Sequence, residues 1–595
     1  MARLQVSRLR AEMKKYGIDA YLIPTDDFHA SEYVGDYFKC REYISGFDGS
    51  AGTLVVTTNE AGLWTDGRYF LQADEQLEGS GIRLYRLGEK DVPTILQYLK
   101  NTLKREQCLG YDGRTVSTAY AKALKEQLDS KKIKFEETMD LVGMIWEDRP
   151  SMSAEPVWLL EDSFAGRTRK EKLQELREEM KNAGADVFLL ASLDDIAWLY
   201  NVRGNDITYN PVALAYTMIW KEQAVFYANP KAVPESMKTI LMQDGIEVRP
   251  YLSVYSDLRN LDKRMNILLD ENATNVALRS AMPASVYVVN HKNPTTIAKA
   301  VKNQVEMQHV CEAHIKDGVA VTKMIYWLKT NYGKRTITEL DVCEQLEEFR
   351  RQGSDYLGQS FAPIAAAGAH GAIVHYEPVG DTNIPLVDNS FLLLDTGGQY
   401  LQGTTDITRT IACGAIDDQM KEHYTAVLRG NLNLAAVHFK YGCTGANFDY
   451  LARAPLWELG LDYNHGTGHG VGYLLNVHEG PNAIRLKDAN NSVGAVFEEG
   501  MITSDEPGLY LEGAYGIRLE NLLLCRKVRK TDYGQFMEFE TLTLVPFDRS
   551  SILVDKMSKR EKELLNQYHR RVYEAIAPML TPEEAAWLKE ETAEL

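Results

Sequence analysis

Cysteine is scarce in this chain and scattered where it occurs. Cys40, Cys108, Cys311, Cys343, Cys413, Cys443 and Cys525 make an odd set of seven with no Cys-x-x-Cys pair. That pattern suits reduced thiols in a reducing compartment better than a disulfide framework or a zinc–cysteine site. Long apolar runs are missing too: nothing approaches the ~20 residues of a membrane span. Positive charge is in deficit, with 66 Lys and Arg against 84 Asp and Glu and a net charge of −18. A nucleic-acid partner would need a basic face, so none is expected. The opening Met1-Ala2-Arg3-Leu4-Gln5-Val6-Ser7-Arg8 reads as a charged helix start without an apolar signal core, which points to the cytoplasm.

At 595 residues the chain is too long for one core. An internal repeat marks the first division. Leu9 to Ile23 recurs as Leu176 to Leu190 at a constant offset, and Asp27 still matches Asp194. Each copy reads as an amphipathic helix, a glycine stop and a short apolar strand, so two α/β domains are expected, not a solenoid. The proline-bearing stretch Trp146 to Pro156 reads as a linker, and the pattern changes again near His291-Lys292-Asn293-Pro294. These breaks divide the chain at 1–150, 151–293 and 294–595. In the third segment a long helix carries Val321, Ile325 and Leu328 on one face. Thr338-Glu339-Leu340-Asp341 then caps a helix running to about Arg351. Glycine-punctuated strands are expected from Phe361 to Pro546, and a helical extension from Ser558 carries Leu564, Tyr568, Val572 and Ile576.

What is present in quantity is chemistry in apolar surroundings. Asp395 ends the run Phe391-Leu392-Leu393-Leu394, and Asp406 lies within Thr404 to Ile411. Glu520 interrupts Gly516 to Leu524. A buried carboxylate must be paired, hydrogen-bonded or metal-bound. A hairpin through Thr396-Gly397-Gly398-Gln399-Tyr400 would bring Asp395 and Asp406 to one side, although a solvent-facing aspartate in a hairpin is ordinary. His465 and His469 have the spacing of a helical zinc site, but the intervening glycines favour an extended strand on which both rings share a face. His478 follows in Asn476-Val477-His478-Glu479-Gly480-Pro481, and Glu506 stands before Pro507-Gly508. Arg518, two residues from Glu520, would neutralise or orient a neighbouring carboxylate. Asp395, Asp406, His469, Glu506 and Glu520 converging on one point would suit two divalent cations, with Mn²⁺, Co²⁺, Fe²⁺ or Zn²⁺ favoured over a thiophilic metal. The chemistry implied is hydrolysis by a metal-bound hydroxide. Cleft imidazoles would make catalysis fall away below about pH 6–6.5.

At these residues the chain resembles the metallopeptidases of the pita-bread fold, whose ligand order Asp, Asp, His, Glu, Glu it reproduces. The resemblance is to the three-domain, cytosolic aminopeptidase P type (Xaa-Pro aminopeptidases), and it spans nearly the whole chain. It is carried by Ser45 to Thr53, Leu63 to Ala73, Gly371 to Tyr376, Gly403 to Asp406, His465 to Gly472, Asn476 to Pro481 and Asp505 to Gly508. It implies an α/β and α+β architecture: two creatinase-like N-terminal domains followed by a pita-bread catalytic domain. The implied activity is release of the first residue from peptides with proline second.

By the same resemblance, Asp395 chelates one metal, Asp406 and Glu520 bridge both, and His469 and Glu506 complete the second. Glu506 takes a proton from the bridging water. His375, His465 and His478 line the cleft and, with His469 and Glu506, hold the substrate, while Arg68 reaches it from the first domain. Mn²⁺ and a homodimer are the family's usual cofactor and state. Ser504 and Leu509 are small departures, standing where Thr and an aromatic residue are common. The readings set against this one are a prolidase acting on Xaa-Pro dipeptides, a creatine-type hydrolase lacking the metal set, and a non-catalytic binding protein.

Overall fold

The computed structural model describes residues 2–262, 264–486 and 494–595. The chain forms two compact units, one of Met1–Asp162 with Arg167–Thr295 and one of Ser163–Gly166 with Thr296–Leu595.

The first unit contains the same fold twice. Helix α1 (Ala2–Tyr16) leads into β1 (Ala20–Pro24), followed by β2 (Thr53–Thr57), β3 (Ala61–Thr65), β4 (Arg83–Arg86), β5 (Cys108–Tyr111) and β6 (Lys134–Glu136). Helix α2 (Arg169–Asn182) leads likewise into β7 (Val187–Leu190), then β8 (Ala215–Trp220), β9 (Ala224–Ala228), β10 (Ile246–Pro250), β11 (Asn266–Leu269) and β12 (Tyr287–Asn290). The strand orders are β4-β3-β2-β1-β5-β6 and β10-β9-β8-β7-β11-β12, with the same parallel and antiparallel pairings at every step.

The repeated residues do the same work in both copies. Leu9 and Met13, like Leu176 and Met180, are buried on the helix face. Gly17 and Gly184 adopt φ of 68° and 69°, the left-handed helix stop that side chains resist. Asp19 accepts a hydrogen bond from the Cys108 N–H at 2.8 Å, and Asp186 accepts one from Asn266 at 2.8 Å, so each pins the start of the neighbouring parallel strand. Asp27 and Asp194 match in sequence only. Asp27 caps a loop through the N–H groups of His29 and Ser31, whereas Asp194 sits in the first turn of a helix.

The second unit contains α3 (Gln304–Asn331), with Val321, Ile325 and Leu328 buried as expected, and α4 (Glu339–Arg351), whose Thr338–Asp341 capping box forms. Strands β13 (Tyr356–Gln359), β14 (Ile364–Ala367), β15 (Ser390–Thr396), β16 (Gly398–Tyr400), β17 (Gly403–Thr404) and β18 (Ile407–Cys413) make two three-stranded sheets, β13-β16-β17 and β14-β15-β18. Two helices, α5 (Asp418–Ala435) and α6 (Asp449–Trp457), then interrupt a region in which strands were expected to dominate. Gly430 and Pro455, residue types that weaken an isolated helix, lie inside them. Gly430 in fact lies where the helices cross, and a Cβ there would stand 2.3 Å from the Ala452 carbonyl.

The large sheet runs β19-β26-β25-β22-β20-β21, built from β19 (His438–Lys440), β20 (Gly468–Gly470), β21 (Glu479–Ile484), β22 (Ile502–Asp505), β25 (Asn521–Thr531) and β26 (Gly534–Thr541). A separate pair, β23 (Gly508–Leu511) and β24 (Tyr515–Arg518), adjoins it in sequence. Helix α7 (Lys559–Ile576) closes the core with Leu565, Tyr568, His569, Val572 and Ile576, while Leu564 is only partly covered. Among the described residues, no helix is long and apolar enough to cross a membrane.

Candidate metal centre

Antiparallel pairing of β15 with β18 sets Asp395 opposite Thr408. Asp406 immediately precedes β18. The link between the two aspartates is not the turn its glycines suggest: β16 is a strand, paired with β13 and β17. Glu520 is the second residue of the two-residue step between β24 and β25, where its N–H donates to the Thr408 carbonyl at 3.1 Å. Arg518 and Glu520, two apart in sequence, therefore fall on either side of a change of sheet and share no β face. Glu506 follows β22 and donates its N–H to Thr467 at 2.9 Å, and His469 is the middle residue of β20.

These elements deliver their side chains to one place. Ligand atoms of Asp406, His469 and Glu520 all lie within 4.8 Å of one another. His469 Nε2 stands 3.4 Å from Asp406 Oδ2 and 3.5 Å from Glu506 Oε1. Its Nδ1–H donates to the Gly470 carbonyl at 2.9 Å, which orients the ring so that Nε2 faces the carboxylates. Asp395 joins through Arg518, whose Nη2 reaches Asp395 Oδ2 at 2.5 Å and whose Nε reaches Thr408 Oγ1 at 3.3 Å. Thr408 in turn donates to Glu520 Oε2 at 2.6 Å.

Such crowding is unstable as a set of bare anions. Burial pushes Asp395 up to about 6 although Arg518 pulls the other way. Burial, reinforced by Asp406, Glu506 and Asp395, holds Glu520 well above the ordinary carboxylate range. Burial alone would raise Glu506, but the charges of His469 and Arg518 keep it below its usual value. Burial alone would lower His469, yet Asp406 and Glu506 carry it up to about 9. Buried oxygens Asp395 Oδ1 and Glu520 Oε1 have no hydrogen-bond partner. Unpaired buried carboxylate oxygens facing hard oxygen ligands and one oriented imidazole nitrogen are what a divalent cation site requires, and the residues present fit one.

The other histidines divide. His478 packs edge-on against His469, with ring centroids 4.4 Å apart. His375 lies in the turn after Gly368–Ala372, next to Val374, whose carbonyl accepts from Arg518 Nη2 at 3.4 Å. His465 is not on an extended strand with His469 but in a bend before β20. Its Nδ1–H donates to Gly466 and its Nε2 accepts from the Tyr510 hydroxyl, both at 2.8 Å. Burial drives His465 down to about 4, so it stays neutral through the pH 6 range in which free imidazole protonates. Of the seven histidines from His370 to His478, His423 binds Tyr515 and His438 is exposed beside Glu538. Arg68, in the first unit, forms a bidentate pair with Asp66 at 2.9 and 2.8 Å, a turn-side ion pair.

Several contributors left little trace in the sequence. Ser504 accepts the His469 N–H at 2.9 Å and donates to Glu506 Oε1 at 3.1 Å, coupling two neighbours of the centre. Arg409 is fully buried; it donates to the carbonyls of Thr408 and Glu520 and to Tyr568 of α7. Nothing in the spacing flags either residue. For Arg409 the sequence offers only a charged residue in the β-branched run Ile407-Thr408-Arg409-Thr410-Ile411.

The arrangement defines a metallopeptidase of the creatinase–prolidase type. Family models match as "Creatinase/Prolidase N-terminal domain" at residues 5–149 and 148–306, "Metallopeptidase family M24" at 308–527, and "C-terminal region of peptidase_M24" at 535–595. Xaa-Pro aminopeptidase 1 of Dictyostelium discoideum is 39% identical over 590 residues, which is 97% of this chain and 93% of that one. The crystal structure of an X-prolyl aminopeptidase from Caenorhabditis elegans, described as a cytosolic enzyme with a di-nuclear active site, superposes with a TM-score of 0.95 at 32% identity over 100% of both chains. This chain belongs to the Xaa-Pro aminopeptidase family.

Proposed function

We propose that this protein is a cytoplasmic aminopeptidase that removes the N-terminal residue from peptides with proline in second position. Asp395, Asp406, His469, Glu506 and Glu520 would hold two divalent cations, Mn²⁺ by family usage, in a homodimeric enzyme. The observation that carries this reading is the meeting of Asp406, His469 and Glu520 within 4.8 Å, with the unpartnered oxygen of Glu520 buried among them. When bound, the cations supply the positive charge that acidifies water and polarises the scissile carbonyl.

The chain's own residues do the rest. Ser504 holds one oxygen of Glu506, so that this carboxylate meets the reaction centre in one orientation and takes a proton from the attacking water. The His469 ring is held in one orientation by its bond to the Gly470 carbonyl. His375 and His478 line the cleft and stabilise the developing oxyanion. His465 acts through Tyr510, which also receives Arg518 Nη1 at 2.7 Å and so links that histidine to the guanidinium beside Asp395.

The duplicated accessory fold supports an aminopeptidase over a dipeptidase. A test measures metal content of protein purified without chelator, together with turnover of a Xaa-Pro-Yaa tripeptide and the Xaa-Pro dipeptide. Two equivalents of metal and release of the first residue from the tripeptide are expected. Turnover of the dipeptide alone would mean a prolidase. Asp406→Ala should remove metal and activity together; a fully active Asp406→Ala enzyme refutes the ligand set.

A further inference from the structure

Behind the metal centre lies an ion pair that no ligand assignment uses. Arg350 of α4 donates to Asp317 of α3 through Nε at 2.7 Å and Nη2 at 3.2 Å, with side-chain exposures of 1% and 0%. The remaining Arg350 nitrogen, Nη1, donates to Thr396 Oγ1. Asp317 Oδ2 accepts from Thr405 Oγ1 at 2.7 Å, and Oδ1 accepts from the Tyr400 hydroxyl at 2.9 Å. Thr396 follows Asp395, and Thr405 precedes Asp406. One buried pair therefore grips the residue beside each of the two aspartates. Because side chains alternate along β15, Thr396 points away from the face that presents Asp395, so the pair works from behind the centre.

We propose that Asp317 and Arg350 are positioning residues that set the spacing of Asp395 and Asp406, through Thr396 and Thr405. The proposal rests on the reading of both aspartates as metal ligands. Net stability does not explain the pair. A buried ion pair is often no more stable than apolar side chains of the same volume, so its contribution is better sought in geometry. The guanidinium is a rigid fork with fixed donor directions, suited to holding several acceptors in register. The hairpin it grips has no slack. Thr405 Oγ1 also accepts the Gly398 N–H at 2.9 Å, and a Cβ on Gly397 would meet Thr405 O and Ser360 Oγ at 2.1 Å each.

The test uses the full-length chain, freed of metal and titrated with Mn²⁺ alone, comparing wild type with Arg350→Lys, Thr396→Val, Thr405→Val and Thr405→Ser. Calorimetry counts the sites, electron paramagnetic resonance reads exchange coupling between paired Mn²⁺ ions, and tripeptide hydrolysis gives kcat and KM. The valine variants and Arg350→Lys should bind the second equivalent about 10–100-fold more weakly. They should also show altered coupling and a kcat reduced with KM nearly unchanged. Thr405→Ser, which keeps the hydroxyl, should behave as wild type. If Thr396→Val and Thr405→Val bind both equivalents with wild-type affinity and coupling, the proposal is overturned, whether or not Arg350→Lys folds. Failure of the ligand reading looks different: the wild type would bind no Mn²⁺ pair, or Asp406→Asn would bind both equivalents unchanged.

Discussion

Gly468 shows how much of the centre depends on single residues. A Cβ at this position would stand 2.0 Å from the Ser504 carbonyl, so β20 and β22 approach as closely as they do only because that atom is absent. Gly468→Ala should push His469 and Glu506 apart. Misplacement of about 1 Å costs on the order of 100-fold in rate, so kcat/KM should fall by at least ~10-fold with far-UV circular dichroism unchanged. Unaltered kinetics would show that the strands tolerate the shift. Asp395 governs a second expectation. Its carboxyl is held up at about 6, so protons compete with cations below that pH and not above it. Mn²⁺ affinity measured by calorimetry should therefore fall as pH drops from 7 to 5. His465, which burial keeps neutral to about 4, contributes nothing to an acid limb near pH 6.

Among the elements, α7 carries the most testable electrostatics. His569 is buried there, and its Nε2 accepts the Phe547 N–H at 3.3 Å. Burial lowers it from 6.5 to about 3, so the folded chain holds it neutral while the unfolded chain protonates it below 6.5. Its contribution to stability is intact above pH 6.5 and is lost progressively as pH falls toward 3. Relative to His569→Gln, the wild type should lose about 2 kcal/mol between pH 7.5 and pH 5. Denaturant melts of both proteins at the two pH values check this, and a constant difference would exclude a buried neutral imidazole. Helices α1 and α2 illustrate the opposite, legible case: periodic leucines, a glycine stop and an aspartate clamp recur, and the two sheets built on them share one topology. Helix α5 was unreadable because Gly430 serves a helix crossing, a tertiary reason that sequence punctuation cannot express.

For the molecule as a whole, the centre couples folding to metal. A ligand present at about 100 times its dissociation constant stabilises the folded state by ~2.7 kcal/mol. Adding Mn²⁺ to chelator-treated protein should therefore raise the melting transition of the second unit, and Glu520→Gln should reduce the shift. A melting curve indifferent to Mn²⁺ would count against a cation site among these carboxylates. The charge of −18 is spread over the whole chain, but the ligand atoms of Asp406, His469 and Glu520 lie within 4.8 Å of one another, so the shift should report that cluster.

Carboxylates inside apolar runs, the offset repeat and the glycine-lined histidine motif were all visible in one dimension, because burial and backbone conformation constrain residue type locally. Ser504 between His469 and Glu506, Arg409 beneath Glu520, and the Asp317–Arg350 pair behind Asp395 were not visible. Those contacts join residues 2 to 159 positions apart, and nothing in the chemistry of a serine or an arginine announces which distant strand it will hold. Residue identity decided what must be compensated; the packing of strands against helices decided which groups do the compensating.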